Sequence, residues 1–219
     1  MSAPALIFDL DGTLTDPRVG IVGCLRYALQ RLDRPCPDDD DRLATFIGPP
    51  LRGTFATLLD THDRALIEAA VGFYRERFDT VGLFENRVYD GVPEMLERLR
   101  VAAPLLVATA KMAEFAKRIV QHFGLAPYFA GVYGAEPGGR FDDKADLLAH
   151  MLDRERLVPD RTVMIGDRGL DVVAARANGL HAIGVLWGYG SERELREAGA
   201  ALLCATPATL PEVVARLLG

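Results

Sequence analysis

The sequence predicts an α/β protein with a Rossmann-like, three-layer core, in which helices cover both faces of a parallel sheet. From Gly91 onward, short apolar runs alternate with amphipathic helical patterns. This alternation is typical of parallel strands joined by right-handed crossovers. Between the first apolar run and Gly91, the patterns are almost entirely helical. We therefore expect a core domain of residues 1–16 and 87–219 and an inserted all-helical cap of residues 17–86.

The predicted strands are short apolar runs, and the predicted helices carry apolar residues at helical spacing. The core strands are expected at residues 5–8, 105–108, 131–134, 161–165, 181–186 and 201–204. The core helices are expected at residues 93–99, 115–123, 145–152, 171–178, 192–198 and 210–218. In the cap, Asp16 and Pro17 are predicted as the N-cap and first position of a helix. The acidic run from Asp38 to Asp41 is predicted to cap the next one.

Length and composition are those of an ordinary globular protein. The chain has 219 residues, of which 49% are hydrophobic and 26% are charged. Its net charge of -6 lacks the basic excess that neutralises nucleic-acid phosphates, so we expect no nucleic-acid polymer as partner. Three scattered cysteines, Cys24, Cys36 and Cys204, favour a reducing compartment. With neither a leader nor a membrane-spanning pattern expected, the sequence predicts a cytoplasmic protein without a membrane partner.

The first predicted strand ends in two carboxylates. Residues 5–8 lead directly into Asp9 and Asp11, which a single residue separates, and Gly12 then marks a turn. Two carboxylates held this close repel each other unless a cation or a proton lies with them. Metal-assisted phosphoryl chemistry uses such an arrangement. On spacing alone, a strand-end turn with two solvated aspartates explains the pattern equally well.

Other polar residues follow later strands of the predicted sheet. Thr109 and Lys111 follow one strand, and Asp167 follows another with Asp171 four residues further on. Lys144 begins a helix that the topology can bring to the same edge. Ligands of open parallel sheets bind outside the carboxyl ends of the strands, so these residues are candidates for one site. Helix caps and solvated lysines are the alternative interpretations, and a solvated side chain is the favoured one for Lys111.

Four sequence motifs occur in order along the chain. They are Asp9-Leu10-Asp11-Gly12-Thr13, then Thr109, then Lys144, and finally Gly166-Asp167-Arg168-Gly169-Leu170-Asp171. Together they resemble the motifs of the haloacid dehalogenase (HAD) superfamily, and specifically its phosphoglycolate-phosphatase-like branch with a helical cap of the C1 type. The segment from Ile183 to Ser191 is also similar to that branch. Trp187 and Tyr189, within this segment, are predicted to pack in the interior or shape a pocket wall.

The resemblance implies a phosphatase that forms an aspartyl-phosphate intermediate with Mg²⁺ as cofactor. Asp9 is then the nucleophile, and Asp11 donates a proton to the leaving alcohol and later accepts one from water. One Asp9 oxygen, the Asp11 main-chain carbonyl and Asp167 are the implied metal ligands. Asp171 is implied to hold a metal-bound water or to orient its neighbours.

The resemblance also implies which residues hold the phosphoryl group. Thr109 and Lys144 are the implied catalytic groups that contact it. Gly12, Thr13, Thr109 and Ala110 are the implied substrate-binding residues of the core. Ala110 stands where this branch often has serine or asparagine, so its main-chain N–H is the donor that remains. Arg52 is a candidate for contacting the substrate from the cap, with an exposed surface arginine as an equally good interpretation.

The expected partner is a small phosphorylated metabolite, and the resemblance puts phosphoglycolate first. A 5'-nucleotidase and a sugar-phosphate phosphatase are alternatives within the same fold. A phosphomutase uses the same pair of aspartates, and a non-catalytic regulator that binds a phosphorylated ligand is a further alternative. A dehalogenase is disfavoured because displacement of a halide gives Asp11 no proton to transfer.

Overall fold

The computed structural model describes residues 4–218. The chain divides into two compact units, which we describe separately. Unit 1 comprises the residues up to Asp16 and those from Val88 onward, and unit 2 comprises Pro17–Arg87. No helix among the described residues is both long and apolar enough to cross a membrane.

Unit 1 is a six-stranded parallel sheet with helices packed on it, as the sequence predicts. The sheet strands are β1 (Ala5–Phe8), β4 (Leu105–Met112), β5 (Gly131–Ala135), β6 (Thr162–Gly166), β7 (His181–Val185) and β8 (Leu202–Cys204). The helices are α5 (Val92–Leu99), α6 (Ala113–His122), α7 (Lys144–Glu155), α8 (Gly169–Ala177), α9 (Glu192–Ala198) and α10 (Leu210–Leu218). Short strands β2 (Thr15–Asp16) and β3 (Arg87–Val88) border the inserted segment in the sequence.

The order of the strands brings the candidate residues together. The sheet runs β5-β4-β1-β6-β7-β8, so β1 lies between β4 and β6. Phe8 is level with Val107 on one side and with Ile165 on the other. Because all three strands are parallel, their carboxyl ends open at the same edge. The residues after Phe8, Val107 and Ile165 therefore meet at the centre of that edge.

The central strand β1 is apolar throughout because both faces of the sheet are covered. All four residues of β1 are buried. Ile7, Leu106 and Met164, from three adjacent strands, are fully or almost fully buried in one hydrophobic cluster with helices α7 and α8. This packing fixes the positions of the strand ends, and hence of the polar residues that follow them.

Unit 2 is helical, as its sequence pattern indicates. Its helices are α1 (Arg18–Arg31), α2 (Asp40–Ala44), α3 (Leu51–Leu58), α4 (Arg64–Arg77) and a five-residue π-helix (Phe78–Gly82). Asp39 caps α2 by accepting a hydrogen bond from the Asp41 N–H. Tyr74 stacks on Phe78 and meets Phe55 edge-on, so these three aromatic side chains pack together in the interior of this unit.

Two local predictions are wrong. Asp16 does not cap α1, because the N-cap is Pro17 and no side chain bonds there. The Asp16 carboxylate instead accepts a hydrogen bond from the Tyr189 hydroxyl. Strand β4 also continues to Met112, four residues beyond the predicted end at residue 108. Lys111 therefore lies within β4 and does not follow it.

Candidate active site

The first motif of the sequence forms the centre of the site. Asp9 follows β1, and its main-chain N–H donates to the Ile165 carbonyl at 2.9 Å, which continues the pairing with β6 for one more residue. The chain then turns at Gly12, whose φ of +84° is a conformation that residues with a Cβ rarely adopt. Asp9 and Asp11 are both buried. The alternative of two solvated aspartates is therefore wrong.

Three buried carboxylates lie together at the end of β1 and β6. Asp9, Asp167 and Asp171 each offer an oxygen, and these oxygens lie within 4.8 Å of one another. Asp167 follows β6 directly, and Asp171 lies in the first turn of α8. The Asp11 side chain is not part of this cluster. That the Asp11 main-chain carbonyl binds a metal ion stays a prediction.

Both oxygens of Asp167 are held by groups outside its own loop. The Tyr189 main-chain N–H donates to Oδ2 at 2.8 Å, and the Thr13 hydroxyl donates to Oδ1 at 3.3 Å. Thr13 is fully buried, and its hydroxyl helps to orient Asp167. The predicted parts of Gly12, Thr13 and Ala110 in substrate binding stay predictions.

The loop after β7 packs tightly on the Asp167 loop. A Cβ at Gly188 would overlap the Gly12 carbonyl and the Asp167 side chain, and one at Gly190 would overlap the Asp167 carbonyl. The Trp187 indole N–H donates to the Thr13 carbonyl at 3.0 Å. Trp187 and Tyr189 thus hold the site through hydrogen bonds, in addition to the packing or pocket-wall roles that the sequence predicts for them. In the sequence, the glycines at alternate positions 188 and 190 were the signal that this loop approaches another segment closely.

Lys144 supplies a positive charge to the carboxylate cluster. It is the first residue of α7, which Asp143 caps by accepting from the Ala145 N–H at 2.8 Å. Its ammonium lies 3.1 Å from Asp9 Oδ1 and hydrogen-bonds Asp171. Burial alone lowers the pKa of a lysine, but the charges of Asp171 and Asp9 outweigh it and raise the pKa of Lys144 above its usual value. The lysine therefore stays charged.

One ammonium does not neutralise three carboxylates. Burial, and then the charges of Asp171 and Asp9, raise the pKa of Asp167 to about 8. Burial also raises the pKa of Asp171, although Lys144 opposes the shift. Oδ1 of Asp9 is buried and lies against the Lys144 ammonium, at 3.1 Å. A buried site with excess negative charge and three carboxylate donors fits a hard divalent cation such as Mg²⁺.

Strand β4 contributes the remaining predicted residues. Thr109 is buried, and its hydroxyl oxygen accepts the Lys111 main-chain N–H at 3.3 Å. The favoured interpretation of Lys111 as a solvated lysine is wrong. Only 8% of its side chain is exposed, and its ammonium lies 2.7 Å from Oδ2 of Asp11. Burial nevertheless raises the pKa of Asp11, and Lys111 only partly offsets this effect.

Arg52, the candidate of unit 2, and Arg168, within the fourth motif, each make an ion pair within their own unit. Arg52 in unit 2 pairs with Glu68 at 2.5 Å, and this pair is partly exposed. Arg168 pairs with Glu194 at 3.1 Å, and the same carboxylate accepts the Gly169 N–H. Arg168 therefore tethers the start of α8 to α9. A contact between Arg52 and substrate stays a prediction.

Comparison with known proteins agrees with this geometry. The haloacid dehalogenase-like hydrolase family matches residues 6–185. A 5'-nucleotidase of Pseudomonas aeruginosa is 46% identical over 96% of this chain and 95% of its own length. A tyrosine-protein kinase, PtkA, of Mycobacterium tuberculosis is 42% identical over 86% of this chain, which spans 64% of the length of that protein. The crystal structure of a predicted phosphatase from Clostridium acetobutylicum superposes with a TM-score of 0.90, at 36% identity and 99% coverage of both chains.

The protein thus has a parallel sheet with an acidic cluster at its carboxyl edge. The chain belongs to the haloacid dehalogenase-like hydrolase family. Within it the chain is a phosphatase, a phosphoric monoester hydrolase, as the named phosphatases and the 5'-nucleotidase among its relatives indicate.

Proposed function

We propose that this phosphatase hydrolyses small phosphate monoesters through a phosphoryl group carried on Asp9, with Mg²⁺ as its cofactor. The observation that carries the proposal is the cluster of Asp9, Asp167 and Asp171, three buried carboxylates with one lysine between them. When bound, the cation screens the repulsion between the Asp9 carboxylate and the phosphate oxygens. Asp9, Asp167 and Asp171 are the residues that would hold it, directly or through water.

The residues of the chain have distinct parts in this reaction. An Asp9 oxygen attacks phosphorus, the bond to the leaving oxygen breaks, and Asp11 protonates the departing alcohol. Water then attacks the phosphorus of the aspartyl-phosphate, its proton passes to Asp11, and the bond between Asp9 and phosphorus breaks. Asp11 suits the first step because its raised pKa favours a proton on the carboxyl group. Lys144 offsets the charge on Asp9 and on the phosphoryl oxygens.

Thr109 and the main-chain amides after it are proposed to contact the phosphoryl oxygens. Thr109 lies on β4, two residues beyond Val107, which is level with the end of β1, and is buried. Ala110 supports such a contact only through its main-chain N–H. Gly12 is proposed to let the turn after β1 approach Asp167 closely. Its φ is positive, and a Cβ at this position would overlap the Asp167 carboxylate.

The proposed substrate is a small phosphorylated metabolite. The sequence resemblance put phosphoglycolate first, but the relative at 46% identity is named a 5'-nucleotidase. We therefore place nucleoside 5'-monophosphates first and phosphoglycolate second. Sugar phosphates and phosphotyrosine complete the candidates, the latter because a relative is named a tyrosine-protein kinase. A cytoplasmic location, with neither nucleic-acid polymer nor membrane as partner, belongs to the same proposal. The free thiols of Cys24, Cys36 and Cys204 support it.

Phosphate release from a panel of these esters, with Mg²⁺ and with EDTA, tests the proposal. We expect Mg²⁺-dependent turnover of at least one ester and its loss in Asp9→Asn, because the amide cannot attack phosphorus. Asp160→Asn, an exposed aspartate of unit 1, is the matched control and should retain full activity. Turnover by Asp9→Asn near the wild-type rate would exclude Asp9 as nucleophile. An isomerised product without released phosphate would indicate a phosphomutase instead.

A further inference from the structure

Lys111 has a buried position that the reaction as described does not explain. Lysine is almost never buried without a partner, because its ammonium group loses its hydration. Here 8% of the side chain is exposed, and the ammonium lies 2.7 Å from Oδ2 of Asp11. Lys144 already forms ion pairs with Asp9 and Asp171. The two carboxylates of the first motif therefore contact different lysines.

The two oxygens of Asp11 have different surroundings. Oδ2 contacts the Lys111 ammonium, whereas Oδ1 is buried and has no hydrogen-bond partner among the described residues. A carboxyl group held through one oxygen cannot rotate freely about its last bond. The other oxygen is then left in a fixed direction with a lone pair or proton to exchange. An acid-base group that must meet a leaving oxygen benefits from such fixed geometry.

The backbone of β4 is shaped to bring Lys111 to this place. The pairing between β4 and β5 shifts register between Thr109 and Met112, so the strand is irregular where Lys111 lies. Gly134 of β5 allows this irregularity, because a Cβ there would overlap the Lys111 carbonyl oxygen. Irregularities of this kind redirect side chains beside functional sites. The irregular backbone of β4 and the contact with Asp11 thus both favour a defined position for the Lys111 ammonium.

We propose that Lys111 is a positioning residue that holds Asp11 through Oδ2 and leaves Oδ1 to exchange protons with the substrate oxygen and with water. The proposal rests on the proposed phosphatase function. In the first step the Asp11 proton moves from Oδ1 to the leaving oxygen as its bond to phosphorus breaks. In the second step Oδ1 receives the proton of the attacking water. Lys111 keeps its charge in both steps and makes no bond to the substrate.

A series of phosphate esters with different leaving groups tests this role. An alkyl ester needs proton donation to its leaving oxygen, whereas p-nitrophenolate leaves without a proton. Lys111→Met removes the ammonium but keeps the apolar stem. General acid catalysis contributes about 10²–10⁴-fold, so we expect kcat/KM to fall at least ~100-fold for an alkyl ester and less than ~10-fold for p-nitrophenyl phosphate. The parameter kcat/KM reports only the steps up to formation of the aspartyl-phosphate.

Three further variants separate positioning of Asp11 from direct phosphate binding and from loss of the fold. Lys117→Met, at an exposed lysine of the following helix, should leave both rates unchanged. Lys111→Arg should recover part of the alkyl-ester rate, and Lys111→Gln replaces the methionine variant if that variant does not fold. An equal loss for all leaving groups, as expected for a lysine that binds phosphate, would overturn the inference, and so would no loss. If the wild-type protein hydrolyses no ester of the series, the proposed function itself fails.

Discussion

Replacing Asp167 by asparagine tests whether the carboxylate cluster needs a cation. Burial, with the charges of Asp171 and Asp9, raises the pKa of Asp167 to about 8 from 3.8. A carboxyl group with a raised pKa in the folded state stabilises that state fully at low pH and loses this contribution as the pH rises toward the folded pKa. Each unit corresponds to about 1.4 kcal/mol. Between about pH 5 and pH 8, Asp167 therefore costs the metal-free protein up to about 4 kcal/mol, or about 10 °C in Tm.

Thermal unfolding in EDTA, followed by circular dichroism from about pH 5 to about pH 8, measures this effect. The Tm of Asp167→Asn minus that of the wild type should increase as the pH rises, because asparagine carries no charge. Mg²⁺ should raise the wild-type Tm most at the higher pH and should raise the variant Tm far less. Asp160→Asn, at an exposed position, should follow the wild type. A Tm difference between Asp167→Asn and wild type that is the same at both pH values would refute the reasoning.

Two further predictions concern the groups around the cluster. Lys144→Met should lower kcat about 10²–10³-fold, because no other described side chain pairs with both Asp9 and Asp171. Steady-state kinetics with saturating Mg²⁺ measures this change. A kcat within about threefold of the wild-type value would contradict the prediction. Gly190→Ala should lower the free energy of unfolding by about 1–3 kcal/mol, because its Cβ would overlap the Asp167 carbonyl. The matched Gly72→Ala, in α4 with open space around its Cβ, should instead gain about 0.5–1 kcal/mol. Chemical denaturation distinguishes the two, and equal effects would show that the close packing at Gly190 is unimportant.

The sequence was sufficient to predict the sheet and the residues at its central edge. An apolar run such as residues 5–8 indicates a strand, because a parallel strand covered on both faces consists mainly of apolar residues. The positions after these strands follow from the rule that parallel strands end at one edge. This is why Asp9, Asp167 and Lys144 could be named as members of one site from the sequence alone.

The contacts that hold the site could not be predicted, because they depend on irregular backbone. Lys111 reaches Asp11 where the register of β4 shifts, and strand periodicity says nothing about such a shift. Tyr189 holds Asp167 through its main-chain N–H, and since every residue except proline has this group, the sequence does not reveal the contact. Asp16 had a good helix-capping pattern, but the Tyr189 hydroxyl, far away in the sequence, competes for it.

The central claim is that the phosphoryl group passes through the Asp9 carboxylate. Rapid acid quenching during turnover, followed by mass spectrometry of the N-terminal peptide, tests it most directly. We predict a transient phosphate on Asp9 that is absent from Asp9→Asn and that accumulates when Asp11 is replaced by asparagine and the variant is phosphorylated with an activated ester. Steady turnover with Asp9 never phosphorylated at any quench time would contradict the account.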